Sequence, residues 1–206
     1  MPMHKRNALK LIAGGVGWAG AAALLGVNLT GCSDAKPSFN AVDLTGADYA
    51  RDFQLADMNG RQRTLADFKG KVVVLFFGYA QCPDVCPTTM TDMAQVKQKL
   101  GQDGDRLQVV FVTVDPERDT AEVMKAYMGA FDPRFIALIP TPEQLAAMAK
   151  DFKVYYKKVE GKTPTSYSMD HSAASYIYDP QGRLRLYARY GAGIDPMVAD
   201  IRALLA

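Results

Sequence analysis

Apolar and polar positions alternate along the chain with two periods. Phe53-Gln54-Leu55 followed by Asn59-Gly60 predicts a small hairpin, because Asn-Gly favours the I′ turn. Thr64-Leu65-Ala66-Asp67-Phe68 reads as a short helical turn that Gly70 ends. Val72 to Phe77 is a continuous apolar run of β-branched and aromatic residues, which marks a strand buried on both faces. A helix is predicted next, from about Pro87 to Leu100, with proline at a tolerated first-turn position and Gly101 at the stop.

The same alternation then recurs. Leu107 to Val114 is a second buried strand, and Asp119 with Glu122 resembles a capping box opening a helix that runs to about Phe131. Phe135 to Ile139 is a short strand. Thr141-Pro142-Glu143-Gln144 is a capping box, and Leu145, Met148, Ala149 and Phe152 give its helix one apolar face. Ala174 to Tyr178 and Leu184 to Tyr190 flank the turn Asp179-Pro180-Gln181-Gly182 and form a hairpin, and Asp195-Pro196 caps a last helix. A hairpin, then βαβαβα, then ββα is a parallel core with an antiparallel edge pair. The expected class is α/β: a thioredoxin-like three-layer sandwich with a mixed central sheet and an N-terminal β-hairpin.

Composition narrows the function. With 49% apolar residues in 206, the chain has ample core and is not disordered over most of its length. The 24 Lys+Arg against 22 Asp+Glu are scattered, so there is no footprint for nucleic acid. Three cysteines and two histidines exclude a disulfide-dense scaffold and a four-cysteine zinc module.

The start of the chain reads as an address. Lys5, Arg6 and Lys10 precede an uncharged run from Leu11 to Gly31, the layout of an export signal. That run also has the length of an uncleaved membrane span, but its six glycines make a poor permanent helix. It ends Leu29-Thr30-Gly31-Cys32, which resembles the bacterial lipobox, so residues 1–31 are expected to be a lipoprotein-type signal peptide and Cys32 the lipidated residue. Residues 32–48 are expected to form the lipidated cysteine and a polar tether, and 49–206 the folded domain. Cleavage leaves 21 basic and 22 acidic residues, so a lipid rather than charge would hold the protein to a membrane facing the periplasm or extracytoplasmic space.

Cys82-Pro83-Asp84-Val85-Cys86-Pro87 begins just after the first buried strand, at the sheet edge where α/β folds bind ligands. The i,i+4 spacing on a first helical turn brings the two sulfurs together. That suits a disulfide, a metal ion, or a thiolate nucleophile activated by the helix N-terminus. A purely stabilising disulfide closes so short a loop that it adds little. His171, the one histidine after residue 31, lies in a loop leading to the strand at Ala174, with Asp170 beside it to orient the ring. Two thiolates and an imidazole suit Cu(I), or Cu(II) with an added ligand. Asp115 ends the second strand on the same edge and is a candidate to line the site; Arg118 is a candidate brace of that loop.

The chain resembles the SCO/SenC family, copper proteins of cytochrome c oxidase assembly. The resemblance rests on Gly70-Lys71, Phe76-Phe77-Gly78-Tyr79, the CPDVCP string, Val114-Asp115-Pro116-Glu117-Arg118-Asp119-Thr120 and Asp170-His171-Ser172, and covers residues 39–190. It implies a thioredoxin-like fold and copper held by Cys82, Cys86 and His171, with Asp170 and Asp115 around them and a Cys82–Cys86 disulfide in the oxidised form. Met169 stands where the family more often has an aliphatic residue, and is read as packing. The function implied is a metallochaperone, not an enzyme, delivering copper to the dinuclear copper site of the oxidase. The expected partners are the copper-site subunit and another copper chaperone or thiol reductant. The alternative is a thiol–disulfide oxidoreductase that reduces the oxidase cysteines before metal loading. A general thioredoxin would favour C-x2-C and a proline before the strand at Ala174; this chain has C-x3-C and Ser172-Ala173.

Overall fold

A computed structural model describes residues 38–163 and 166–206. The basic start, the uncharged run and Cys32 lie outside the described residues. In chain order the elements are β1 (Val42–Asp43), β2 (Leu55–Ala56), β3 (Gln62–Arg63), a 3-10 turn (Leu65–Phe68), β4 (Val72–Gly78), α1 (Val85–Leu100), a second 3-10 turn (Gly101–Arg106), β5 (Leu107–Thr113), α2 (Ala121–Gly129), β6 (Ile136–Leu138), α3 (Pro142–Phe152), β7 (Tyr156–Val159), β8 (Ser168–His171), β9 (Ser175–Tyr178), β10 (Leu184–Ala188) and α4 (Ile194–Leu205).

The main sheet has the order β1-β10-β9-β4-β5-β6. β4 and β5 pair in parallel from Val72–Leu107 to Gly78–Thr113, and every residue of both is buried. Successive side chains of a strand face opposite ways, so burial at every position requires cover on both faces. The result is the mixed-sheet, three-layer thioredoxin-like sandwich. On one side α4 packs against both β4 and α1. Phe76, Phe77, Phe111, Phe135, Phe152 and Tyr178 fill the core.

This topology determines where chemistry can sit. β4 ends at Gly78 and β5 at Thr113, side by side, while antiparallel β9 begins at Ser175 opposite Phe76. The segments leaving β4, leaving β5 and entering β9 therefore meet at one sheet edge, outside the carboxyl ends of the parallel strands.

Several expectations need correction. Helix α1 starts at Val85, behind Asp84, rather than near Pro87. Asp119 does not cap α2: Thr120 does, its hydroxyl accepting from Val123 N, and Asp119 is buried behind it. Gly193, not Asp195, precedes α4. The Asn59-Gly60 turn is not type I′, since only Gly60 of the two has positive φ. Within the stretch expected as tether, Val42 and Asp43 pair with β10, and the Asp200 carboxylate accepts from the backbone N–H of Asn40 and Ala41, each at 2.8 Å. The β7–β8 hairpin has no counterpart in the sequence reading. His171 accordingly closes a strand instead of lying in a loop.

Candidate metal centre

The connection from β4 to α1 carries the first sulfur. Cys82 N donates to the Tyr79 carbonyl at 3.2 Å, making a turn, and the turn is tied to β5 by a buried carboxylate. Asp119 accepts from Ala80 N (3.1 Å) and from the Thr113 hydroxyl (2.5 Å). Cys86 is the second residue of α1 and is fully buried, whereas Cys82 is half-buried. The Cys86 sulfur rests against the backbone of Gly78, where a Cβ would stand 2.7 Å from Sγ.

His171 arrives from the other side on β8, opposite Tyr156 in register. Its ring stands edge-on to Phe76 and Tyr79, with centroids 6.0 and 5.9 Å away. Nδ1 lies 3.0 Å from the Ser172 carbonyl oxygen, which can only accept, so Nδ1 donates there. In the neutral ring the lone pair is then on Nε2, which lies 3.4 Å from Cys86 Sγ. One donor atom from each of Cys82, Cys86 and His171 lies within 4.8 Å of the other two. This is the one such group of three or more among the described residues.

The two sulfurs share a proton unequally. The Cys86 thiol donates to Cys82, and this contact, with backbone N–H groups of Asp84 and Cys86, outweighs burial and pulls Cys82 down to about 4. The same hydrogen bond and its own burial push Cys86 up. Cys82 is therefore the sulfur that ionises more readily, and Cys86 the one that keeps its proton. The N-terminal amides of α1 contribute as the spacing suggests, but the partner thiol contributes more.

The structure brings Cys82, Cys86 and His171 together and leaves two candidates aside. Asp170 is exposed on β8, paired in register with Lys157. Because side chains alternate along a strand, it points away from the face of His171, and the Ser172 carbonyl orients the ring instead. Asp115 is buried, but its carboxylate accepts from Arg118 Nε (2.5 Å) and the Tyr167 hydroxyl (2.7 Å). Met169 packs against the core on the same face as His171. The sequence reading missed the roles of Gly78 and Asp119; the glycine ending an apolar run was visible, but its contact with Cys86 was not.

Two sulfurs and one imidazole in reach of one point fit a soft ion that takes thiolate and imidazole, such as Cu(I). Among the described residues there is no further His, Cys, Asp or Glu in the group to complete a four-ligand zinc site.

The SCO1/SenC family model matches residues 42–206. The SCO2 homolog, mitochondrial, of Mus musculus is 37% identical over 157 residues, 75% of this chain and 62% of that one. The chain thus spans about three-fifths of that relative's length. Among solved structures, Bradyrhizobium japonicum ScoI with copper bound is 38% identical, with TM-score 0.68 over 74% of this chain and 97% of that chain. Apo Sco1 from Thermus thermophilus is 39% identical, with TM-score 0.72 over 82% and 99%.

Proposed function

The chain belongs to the SCO1/SenC family, and from that premise we propose that it is a copper metallochaperone whose Cys82, Cys86 and His171 hold the ion and pass it to the dinuclear copper site of cytochrome c oxidase. The observation that carries the proposal is the convergence of the three donor atoms within 4.8 Å, two from one turn and the third from a hairpin 85 residues further along the chain. ScoI of Bradyrhizobium japonicum, a relative solved with copper bound, supports copper as the cargo. Copper is a substrate here, taken up and released, and no bond of a small molecule is made or broken.

The residues divide the work by position. Cys82, half-buried and ionised, is the first sulfur an arriving ion meets. Cys86 must lose its proton before it can bind, and that proton leaves as the second thiolate forms. His171 offers Nε2 without rearrangement, because its other nitrogen is already committed to Ser172. Three ligands leave room for a donor of the recipient site to enter during transfer.

The signal peptide, a Cys32 lipid anchor and an extracytoplasmic location complete the proposal, on the strength of the basic start, the uncharged run and Leu29-Thr30-Gly31-Cys32. Among the described residues no helix is long and apolar enough to cross a membrane. Cys32→Ala is expected to release the protein from membranes or block its maturation while leaving copper affinity intact; lost copper binding on that change would assign Cys32 to the site instead.

The unequal thiols are the one feature that favours thiol–disulfide exchange, since a half-buried thiolate backed by a buried thiol is an attacking and resolving pair. Exchange does not need His171, and this separates the readings. In cells lacking the wild-type protein, His171→Ala is expected to lose oxidase activity as completely as Cys82→Ala, while its dithiol still exchanges with a small dithiol reagent. Normal oxidase assembly with His171→Ala, but not with Cys82→Ala, would overturn copper transfer in favour of thiol reduction.

A further inference from the structure

Cys82 and Cys86 share one connection, and no ladder of the sheet joins it to the hairpin that carries His171. Cys82 lies in the loop after β4, and His171 lies on a two-stranded hairpin outside the main sheet. Tyr79, at the start of the cysteine loop, meets β8 directly through His171 and the Met169 backbone, and a side chain from a third segment touches both. Arg118, in the loop after β5, donates from Nη1 to the Gln81 side-chain oxygen (3.2 Å) and to the Tyr167 carbonyl (2.8 Å). Gln81 immediately precedes Cys82, and Tyr167 immediately precedes β8. Arg118 Nε donates to Asp115, whose other oxygen accepts from the Tyr167 hydroxyl at 2.7 Å. The guanidinium carbon lies 3.5 Å from the centroid of the Tyr167 ring and 5.9 Å from that of Tyr79, the ring that stands edge-on to His171.

We propose that Arg118, oriented by Asp115 and stacked on Tyr167, is a positioning residue that latches the His171 hairpin to the cysteine loop and thereby holds the imidazole at the two sulfurs. Arg118 Nη2 is buried without a hydrogen-bond partner. Such a donor costs stability, so the contacts of Nε, Nη1 and the guanidinium face are what keep the group in place. The other charged tie from this hairpin to the loop after β5, Lys158 to Glu117 at 2.9 Å, is solvent-exposed and contributes little. Lysine cannot replace Arg118, because one ammonium does not supply a planar fork that donates in three directions and stacks.

The latch rests on the copper reading only for its second readout. In the reduced, metal-free full chain, hydrogen exchange of peptides covering 166–172 is compared with that of 107–113 in wild type, Arg118→Gln, Arg118→Lys and Tyr167→Phe. Both Arg118 variants are expected to accelerate exchange in β8 about tenfold, as loss of a charge-assisted hydrogen bond opens the hairpin locally, while β5 is unchanged. Tyr167→Phe keeps the ring and the carbonyl, so its effect is smaller. With Cu(II) added, the imidazole-nitrogen coupling in the electron spin resonance spectrum is expected to weaken in Arg118→Gln although both thiols still titrate. Wild-type protection of β8 in the Arg118 variants overturns the proposal, as does equal acceleration of β5 and β8, which would make Arg118 a general stabiliser. If Arg118→Gln does not fold, Arg118→Lys and Tyr167→Phe decide the matter, and wild-type protection in both overturns it. Failure of the copper reading is a separate result: wild type would take up no copper, and the exchange comparison would still decide the latch.

Discussion

Gly78 and Cys86 meet where β4 gives way to the site: a Cβ on Gly78 would stand 2.7 Å from the Cys86 sulfur and 2.8 Å from ring atoms of Phe76 and Phe111. The sulfur is seated by the absence of a side chain. Gly78→Ala is therefore expected to push Cys86 out of line with His171 and to cost about 1–3 kcal/mol, the usual penalty for overfilling a packed core. Urea unfolding and a copper competition assay check the two halves. Unchanged stability together with unchanged copper retention would mean that the contact is not tight in solution.

The unequal sulfurs give a pH signature. With Cys82 pulled down to about 4 by the Cys86 thiol, its thiolate persists well below neutrality, and thiolate is the form that alkylates. In the reduced chain at about pH 5, iodoacetamide is expected to modify Cys82 while buried, protonated Cys86 stays unmodified. Peptide mapping by mass spectrometry reads the result. In Cys86→Ala the donating thiol is gone, so low-pH reactivity of Cys82 is expected to fall. Equal modification of both cysteines in wild type would contradict the assignment.

How much of this was legible depended on which force fixed each element. β4 and β5 were readable because burial on both faces forces unbroken apolar runs, and α3 because Thr141 and Gln144 spell a reciprocal cap. The β7–β8 hairpin was hidden because Tyr156-Lys157-Lys158-Val159 and Ser168-Met169-Asp170-His171 bury little apolar surface and are held partly by the Arg118 cluster. The cysteine pair announced itself by spacing, and His171 by being the one imidazole after residue 31. Asp119 misled because an acidic residue near a helix start has the composition of a cap whether or not it is one; here its carboxylate serves Ala80 and Thr113.

Metal binding requires both sulfurs as thiolates. Oxidation to a Cys82–Cys86 disulfide removes two electrons and the Cys86 proton and takes away both soft donors. Stoichiometric Cu(I) uptake is expected after reduction and almost none before it, with His171 alone too weak to retain the ion. Equal uptake in the two states would show that the cysteines are not the ligands.

The Asp57–Arg61 and Asp179–Arg183 hairpin turns share one construction, and it sets their acid sensitivity. In Asp57-Met58-Asn59-Gly60-Arg61, Gly60 N donates to the Asp57 carbonyl and Asp57 N to the Arg61 carbonyl, both at 2.8 Å; in Asp179-Pro180-Gln181-Gly182-Arg183 the same bonds are 2.8 and 3.0 Å. Gly60 and Gly182 both have positive φ, 78° and 77°, which an L side chain resists. Asp57 accepts from Asn59 N and Arg61 N and pairs with Arg63, and Asp179 accepts from Gln181 N and Arg183 N and pairs with Arg183 and Arg185. Burial works to raise both carboxyls, but these arginines and backbone N–H groups together outweigh it and hold both below the usual carboxylate range. A folded value below the unfolded one means that the stabilisation is complete above the unfolded pKa, about 3.9, and is lost as pH falls through the folded value. Asp57→Asn and Asp179→Asn are each expected to lose about 1–3 kcal/mol at neutral pH, the range for a hydrogen-bonded buried charge. The double variant is then expected to lose less further stability than wild type between about pH 5 and pH 2. Urea midpoints across that range make the comparison, and parallel pH dependence in wild type and the double variant would show that these two turns do not carry the acid response.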